Sequence, residues 1–485
     1  MRVLYYDIDT LRPDHLGCYG YHRNTSPNID RVAREGTMFT NYYASDAPCL
    51  PSRAALFLGR PGIHTGVVDH GGIAADPYIV GEDRSFRLQQ EWHSWPMAMR
   101  GAGFYPVSYS PFAERHSAWW FYFGWREMVN TGKGGGERAD EVVPAALDWI
   151  ERNGQQDDWF LHINVWDPHT TYRTPEEFGF PFEDEPIEDW ITDEKIQQDF
   201  ESFGPHSAQD LRNLTAGEEG LRVPAQIRNL DDYRKWINGY DTGILYADDY
   251  LGKVLDALEA KGVLEDTAII ISSDHGENQG ELNIYGDHHT ADYITSRVPM
   301  IIRWPGMDGG QVDEGLHYNY DLPPTLMELV DGECPARWDG ESFAGALRGE
   351  ETGRDCLVLG NNAWSCQRSV RWGPWILLRT YHSGMKDFEP FMLYNVEVDP
   401  HEQRNLVEER PEVVNEGLAM LERWHADMMA TSTSTTDPMW TVMSQGGPYH
   451  TRNSVEQYAK RLRETGRDEA ADWLENTDGG RLVGD

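Results

Sequence analysis

Lysine is scarce in this chain of 485 residues: seven of its 42 basic residues are Lys, and 81 acidic residues leave a formal net charge of -39. A surface this acidic repels phosphate backbones, which excludes nucleic acid as a partner and reads as a solvated face suited to high salt. Cysteine is also rare. The five residues, at 18, 49, 334, 356 and 366, are odd in number and scattered, which excludes a disulfide framework and fits reduced thiols. No pair has zinc-site spacing. No apolar run reaches the ~20 residues that span a membrane, and Val3 enters a strand with no signal-peptide apolar region before it, so a cytoplasmic protein without membrane contact is expected. Internal repeats and a phosphate-binding Gly-x-x-x-x-Gly-Lys loop are both missing. Aromatic residues, in contrast, make up 12%, which argues against disorder, and the length allows a large core and two domains.

The densest chemistry lies in Cys49-Leu50-Pro51-Ser52-Arg53-Ala54-Ala55-Leu56-Phe57-Leu58-Gly59-Arg60. Proline two residues after the cysteine fits the first turn of a helix, so Cys49 falls at a helix N-terminus, where free N–H groups favour an anion. Arg53 lies one turn on, on the same face. By itself this could also be a buried cysteine before an ordinary helix.

Other polar groups fall at the ends of apolar runs. Val3 to Ile8 reads as a buried strand, and alternation puts Asp7 and Asp9 on one face at its carboxyl end, where open α/β sheets bind ligands. Two such carboxylates repel unless a cation lies between them, or they are loop acids capping the next turn. Ala268 to Ile271 is a second apolar strand, following a helix that ends at Lys261-Gly262, and it delivers Asp274 and His275. With Asp9 these offer oxygen and nitrogen ligands from distant parts of the chain, as a metal site does. Trp159 to Val165 delivers His169, and Phe104 to Tyr109 leads to Arg115 and His116. His64 and His70 lie in glycine-rich loops expected to line the same cleft. Trp119 and Trp120 begin an aromatic cluster that is either core or a surface for stacking on a sugar or aryl group.

Cys-x-Pro-Ser-Arg followed by Leu-x-x-Gly-Arg, with Ser273-Asp274-His275-Gly276-Glu277 and the segment Leu11 to Asp30, resembles the type I sulfatases of the alkaline phosphatase superfamily. The resemblance runs from residue 1 to about 410. It implies an α/β fold with a large mixed, mostly parallel sheet sandwiched by helices, and a smaller C-terminal α+β domain carrying an antiparallel sheet. The expected boundaries are 1–354 for the catalytic domain, with 176–232 as an insertion or lid, and 355–485 for the C-terminal subdomain with its tail.

The same resemblance implies that Cys49 is oxidised to formylglycine by a formylglycine-generating enzyme and attacks a sulfate monoester, small or saccharide, the latter preferred. It implies metal ligation at Asp9, Asp274 and His275, with Thr10 where many members carry a second Asp and Asp7 as a substitute. Calcium suits that donor set best, with magnesium or manganese behind. Arg53, Arg115 and His116 would grip the sulfate, the latter two standing where many members place Lys-x-His. His116 would serve as base, and His169 or His288 would protonate the leaving alcohol, His288 occupying a position usually held by lysine. Two alternatives stay open: a phosphonate monoester or phosphodiester hydrolase on the same framework, and a non-catalytic binding protein with an unmodified Cys49.

Overall fold

The computed structural model describes residues 1–78, 94–350 and 353–481. Its centre is an eight-stranded sheet built around Arg2–Ile8. That strand pairs in parallel with Trp159–Val165 on one side and Thr267–Ser272 on the other. Tyr105–Tyr109 and Glu127–Val129 extend the parallel part. Beyond Thr267–Ser272 the strand Met300–Arg303 runs antiparallel, followed by Thr37–Phe39 and Gln311–Asp313. The sheet is therefore mixed and mostly parallel.

Both faces of the central strand are covered, as the unbroken apolar run requires. Leu4, Tyr6 and Ile8 join a core with the helices Pro27–Glu35, Ala139–Asn153 and Leu230–Ala260. Val3 and Tyr5 face the opposite core, with Cys49–Leu58, Trp95–Gly101 and Leu322–Leu329. The period of two puts Asp7 on this second face, toward the helix that begins with Cys49. Gly59 closes that helix with φ 66, the left-handed turn that glycine adopts without steric cost.

A second sheet holds Cys356–Asn361, Cys366–Trp372, Trp375–His382 and Phe391–Asn395, all antiparallel to their neighbours. Its last member comes from far away in sequence: Asp46–Ala47 pairs in parallel with Gly360 and Asn361. The small sheet thus fixes the two residues just upstream of the helix start at Cys49. The tail of the C-terminal subdomain, from residue 430, forms the helices Pro438–Ser444, Val455–Glu464 and Asp468–Asn476. Among the described residues no helix is long and apolar enough to cross a membrane.

Candidate active site

Cys49 is the first residue of its helix and is buried, with Sγ 3.1 Å from His275 Nε2. His275 Nδ1 faces the Gly276 carbonyl at 2.8 Å, so Nδ1 carries the proton and Nε2 presents its lone pair to the cleft. Asp9, Cys49, Asp274 and His275 each offer one ligand atom within 4.8 Å of the others. Asp9 Oδ1 and Thr10 Oγ1 are buried there without a hydrogen-bond partner, and Asp274 Oδ2 meets the Arg53 guanidinium at 3.1 Å. Orphaned buried carboxylate oxygens are costly, so this donor set fits a divalent cation.

Two arginines hold the carboxylates. Arg53, fully buried, pairs with Asp7, with Asp9 at 3.3 Å and with Asp274 at 3.1 Å. Arg115 Nη2 donates to Asp9 Oδ2 at 3.0 Å, and its guanidinium lies 4.0 Å from the centre of the Trp166 ring. Burial pushes the Asp9 carboxyl up, but Arg115, His169 and Arg53 outweigh it and hold it well below the usual range. At Asp274 burial wins, helped by the charge of Asp9, and the pKa rises. The Cys49 thiol rises too, through burial and then Asp9, so an unmodified Cys49 is a neutral thiol in this site.

Imidazoles line the rest of the cleft. His116 Nε2 accepts from Arg115 Nε at 2.8 Å, and its ring lies 4.9 Å from His70. His169 stacks on Trp166 at 4.0 Å and directs Nδ1 to the Thr170 carbonyl. His288 lies 4.1 Å from the His275 ring, and its buried Nδ1 has no partner. Cys49, His169 and His288 also place ligand atoms within 4.8 Å of one another. Burial lowers the pKa of His169 to about 4, and burial followed by neighbouring positive groups lowers those of His70, His116 and His288. All four rings are neutral near pH 7.

The structure brings Cys49, Arg53, Arg115, His116, His169, His288, His70, Asp9, Asp274 and His275 to one cleft, but it moves four residues out of their expected roles. Asp7 is absent from the clustered ligand atoms. It lies on the face toward the helix, tied to Arg53 and to His162 Nε2 at 3.2 Å, so it positions the arginine. His64 joins Asp339 (2.6 Å) to the Met428 carbonyl (2.9 Å), which uses both ring nitrogens in structural bonds. Trp120 is a core residue packed on Phe112 and Phe121. Trp119 is exposed and donates its indole N–H to Asp76 at 2.7 Å. The indole at the site is instead Trp166, which packs against Arg115 and His169.

Sequence reasoning missed His450. It lies between Trp364, whose ring it stacks on at 4.4 Å, and His70 Nδ1, 2.9 Å from its Nε2. A lone histidine after Gly446-Gly447-Pro448-Tyr449 carries no periodic or motif signal, so nothing in the local sequence could have found it. Segment 176–232 contributes the helix Asp193–Glu201 and one wall of a cavity of about 500 Å³, lined by His169, Thr170, His206, Glu218, Trp236 and Asp287 among others.

A parallel-centred sheet with this carboxylate, arginine and imidazole set at its carboxyl end defines a hydrolase of the alkaline phosphatase superfamily. The Sulfatase family model matches residues 3–332, and a model described as N-sulphoglucosamine sulphohydrolase, C-terminal, matches residues 287–422. The chain belongs to the sulfatase family and is a sulfuric ester hydrolase, which sets aside the reading as a non-catalytic binding protein. It is 22% identical over 471 residues to the N-acetylglucosamine-6-O-sulfatase of Bacteroides thetaiotaomicron, covering 83% of this chain and 82% of that one. A solved structure of a protein in complex with its substrate D-glucosamine-2-N,6-O-disulfate has a TM-score of 0.70 at 19% identity, covering 90% of this chain and 99% of that chain. The phosphonate monoester hydrolase of Agrobacterium radiobacter has a TM-score of 0.65 at 19% identity, covering 88% and 96%.

Proposed function

We propose that the chain hydrolyses a sulfate monoester of a carbohydrate, using formylglycine made from Cys49 and one divalent cation, Ca2+ before Mg2+ or Mn2+, at Asp9, Asp274 and His275. The observation that carries this reading is the meeting of Cys49 with orphaned carboxylate oxygens and two arginines. The cation would supply Lewis acidity and neutralise sulfate oxygens, and the formylglycine hydrate would supply two hydroxyls, one to attack sulfur and one to expel sulfate later.

The chain's own groups do the rest. Arg53 and Arg115 place fixed positive charge where the sulfate oxygens gain it, in a water-poor cleft. His116 takes a proton only when Arg115 releases Nε2, so turning Arg115 toward sulfate also frees the base. His169 or His288 protonates the departing alcohol, and the cavity beside His169 receives that alcohol. Its polar walls with Trp236 suit a sugar. Because Cys49 is buried, the formylglycine-generating enzyme must act before this part of the chain folds.

Mass spectrometry of the peptide spanning Cys49 should show a loss of about 18 Da, the mass balance of thiol-to-aldehyde conversion. Unmodified cysteine in protein from the native host would overturn the mechanism. One observation favours a second reading, hydrolysis of a phosphonate monoester or phosphodiester: an Asp-His pair faces the nucleophile, and the cations paired with the carboxylates there are the arginines Arg53 and Arg115. Faster turnover of an aryl phosphonate ester than of an aryl sulfate would decide for it.

A further inference from the structure

Beside the reacting centre, the run Tyr285 to Thr290 and the 176–232 segment bring together three groups that take no part in the nucleophilic and proton-transfer steps. His206 Nδ1 stands 2.8 Å from Asp287 Oδ2 and 2.9 Å from His289 Nε2, while Asp287 Oδ1 lies 3.5 Å from His289 Nε2. For ligand bonds of ~2.1 Å, adjacent donors sit ~3.0 Å apart around an octahedral ion and ~3.4 Å apart around a tetrahedral one. The two spacings at His206 Nδ1, 2.8 and 2.9 Å, are close to the octahedral value, and the 3.5 Å spacing involves the other Asp287 oxygen.

Hydrogen bonding alone leaves a conflict at His206. One ring nitrogen faces both a carboxylate oxygen and an imidazole nitrogen. With a proton it can serve only one of them well, and without one it confronts the carboxylate lone pair to lone pair. A single cation at the shared point satisfies all three. The rings are also held in advance. His289 stacks on Trp364 at 4.1 Å, and the same indole meets His206 edge-on at 5.0 Å. His206 has φ 53, in the left-handed region that a non-glycine residue enters at a cost. Its N–H and C=O are bonded to Asn213 and Tyr285.

The geometry points to a second metal site, formed by His206, Asp287 and His289, that takes a zinc-class divalent ion with open positions toward the cavity beside His169. It is distinct from the Asp9, Asp274 and His275 set, with which it shares no residue. Two imidazoles and one carboxylate select borderline transition ions over calcium. Because the His288 N–H also bonds to Asp287 Oδ1 at 2.8 Å, the ion would stiffen the loop that carries a proposed proton donor.

Cobalt(II) titration of the full chain in excess Ca2+, followed by visible d–d absorption, tests this. One saturable Co2+ per chain is expected, with affinity at least about tenfold weaker in His206→Ala and His289→Ala, as loss of a ligand requires. Asp274→Ala should keep the signal. Matching circular dichroism establishes folding, and His206→Gln and His289→Gln replace the alanine variants if those unfold. Absence of saturable Co2+ binding, or a signal lost in Asp274→Ala and kept in the His206 and His289 variants, would overturn the site. The titration is run on the Cys49→Ala chain, so that neither a thiolate at the Cys49, His169 and His288 group nor the formylglycine state of Cys49 contributes to the signal.

Discussion

The two sides of the cleft are built on opposite electrostatic principles. On the Cys49 helix side, Asp7, Asp9 and Asp274 share the guanidinium groups of Arg53 and Arg115, and Asp7 Oδ1, Asp9 Oδ1 and the nearby Thr10 Oγ1 lack hydrogen-bond partners. On the other side, His70, His116, His169 and His288 are stripped of charge by burial and pack ring against ring, His169 stacked on Trp166 and the others tilted or edge-on. The difference separates two tasks. One wall holds a cation and a sulfate, which requires fixed charge; the other moves protons, which requires groups that can gain and lose one. Desolvation serves both, since it strengthens the ion pairs and keeps the rings neutral until an anion arrives.

That division can be broken from either wall. Cys49→Ala should lower kcat by at least about 10⁴-fold, as loss of a nucleophile does, and should leave the far-UV spectrum unchanged; appreciable remaining turnover would refute the assignment. Arg53→Met should lower metal-free stability by about 3–5 kcal/mol in urea denaturation, because three buried carboxylates lose the one cation they share. Ca2+ should restore part of it. Asp274→Ala should act the other way in metal-free protein, with no loss of midpoint, because a carboxylate already resisting ionisation is removed. Its metal affinity should fall at least about 100-fold together with activity. Metal retained by that variant would place the cation elsewhere.

The charged wall is also the part that was legible in the sequence. Cys49 and Arg53 share one helical face, and Asp9, Asp274 and His275 follow apolar strands whose carboxyl ends the parallel sheet aligns. Local period and strand order suffice for such residues. Asp7 shows the limit: alternation gave its face correctly, but which neighbour occupied that face was a matter of packing, and Arg53 took it. Trp119 and Trp120 failed for the same reason, since an aromatic run does not reveal which ring meets solvent. The proton-moving wall depends on long-range closure. Residues 430–481 have weak local signals, and their helices bring in His450 only through packing against Trp364, Ser383 and Asp210.

His450→Gln tests how far that wall depends on distant support. Glutamine can still accept from His70 Nδ1 but cannot stack on Trp364 as an imidazole does, so kcat/KM should fall about two- to tenfold, the worth of one aromatic pair. A second readout separates positioning from mere loss of packing. Burial pushes His450 down to about 4, against about 6.5 in an unfolded chain. Between those values the unfolded state binds a proton that the folded state does not, so this residue's contribution to stability is lost as pH falls from about 6.5 toward 4. Buried acids raised by desolvation, Asp69 to about 7 and Asp167 to about 6, act with the opposite sign, but they are common to both proteins. His450→Gln should therefore lose less stability than the parent between pH 7 and pH 5 in urea denaturation. Equal losses would mean that His450 is not held neutral, and the contrast between a charged wall and a neutral one would fail at that point.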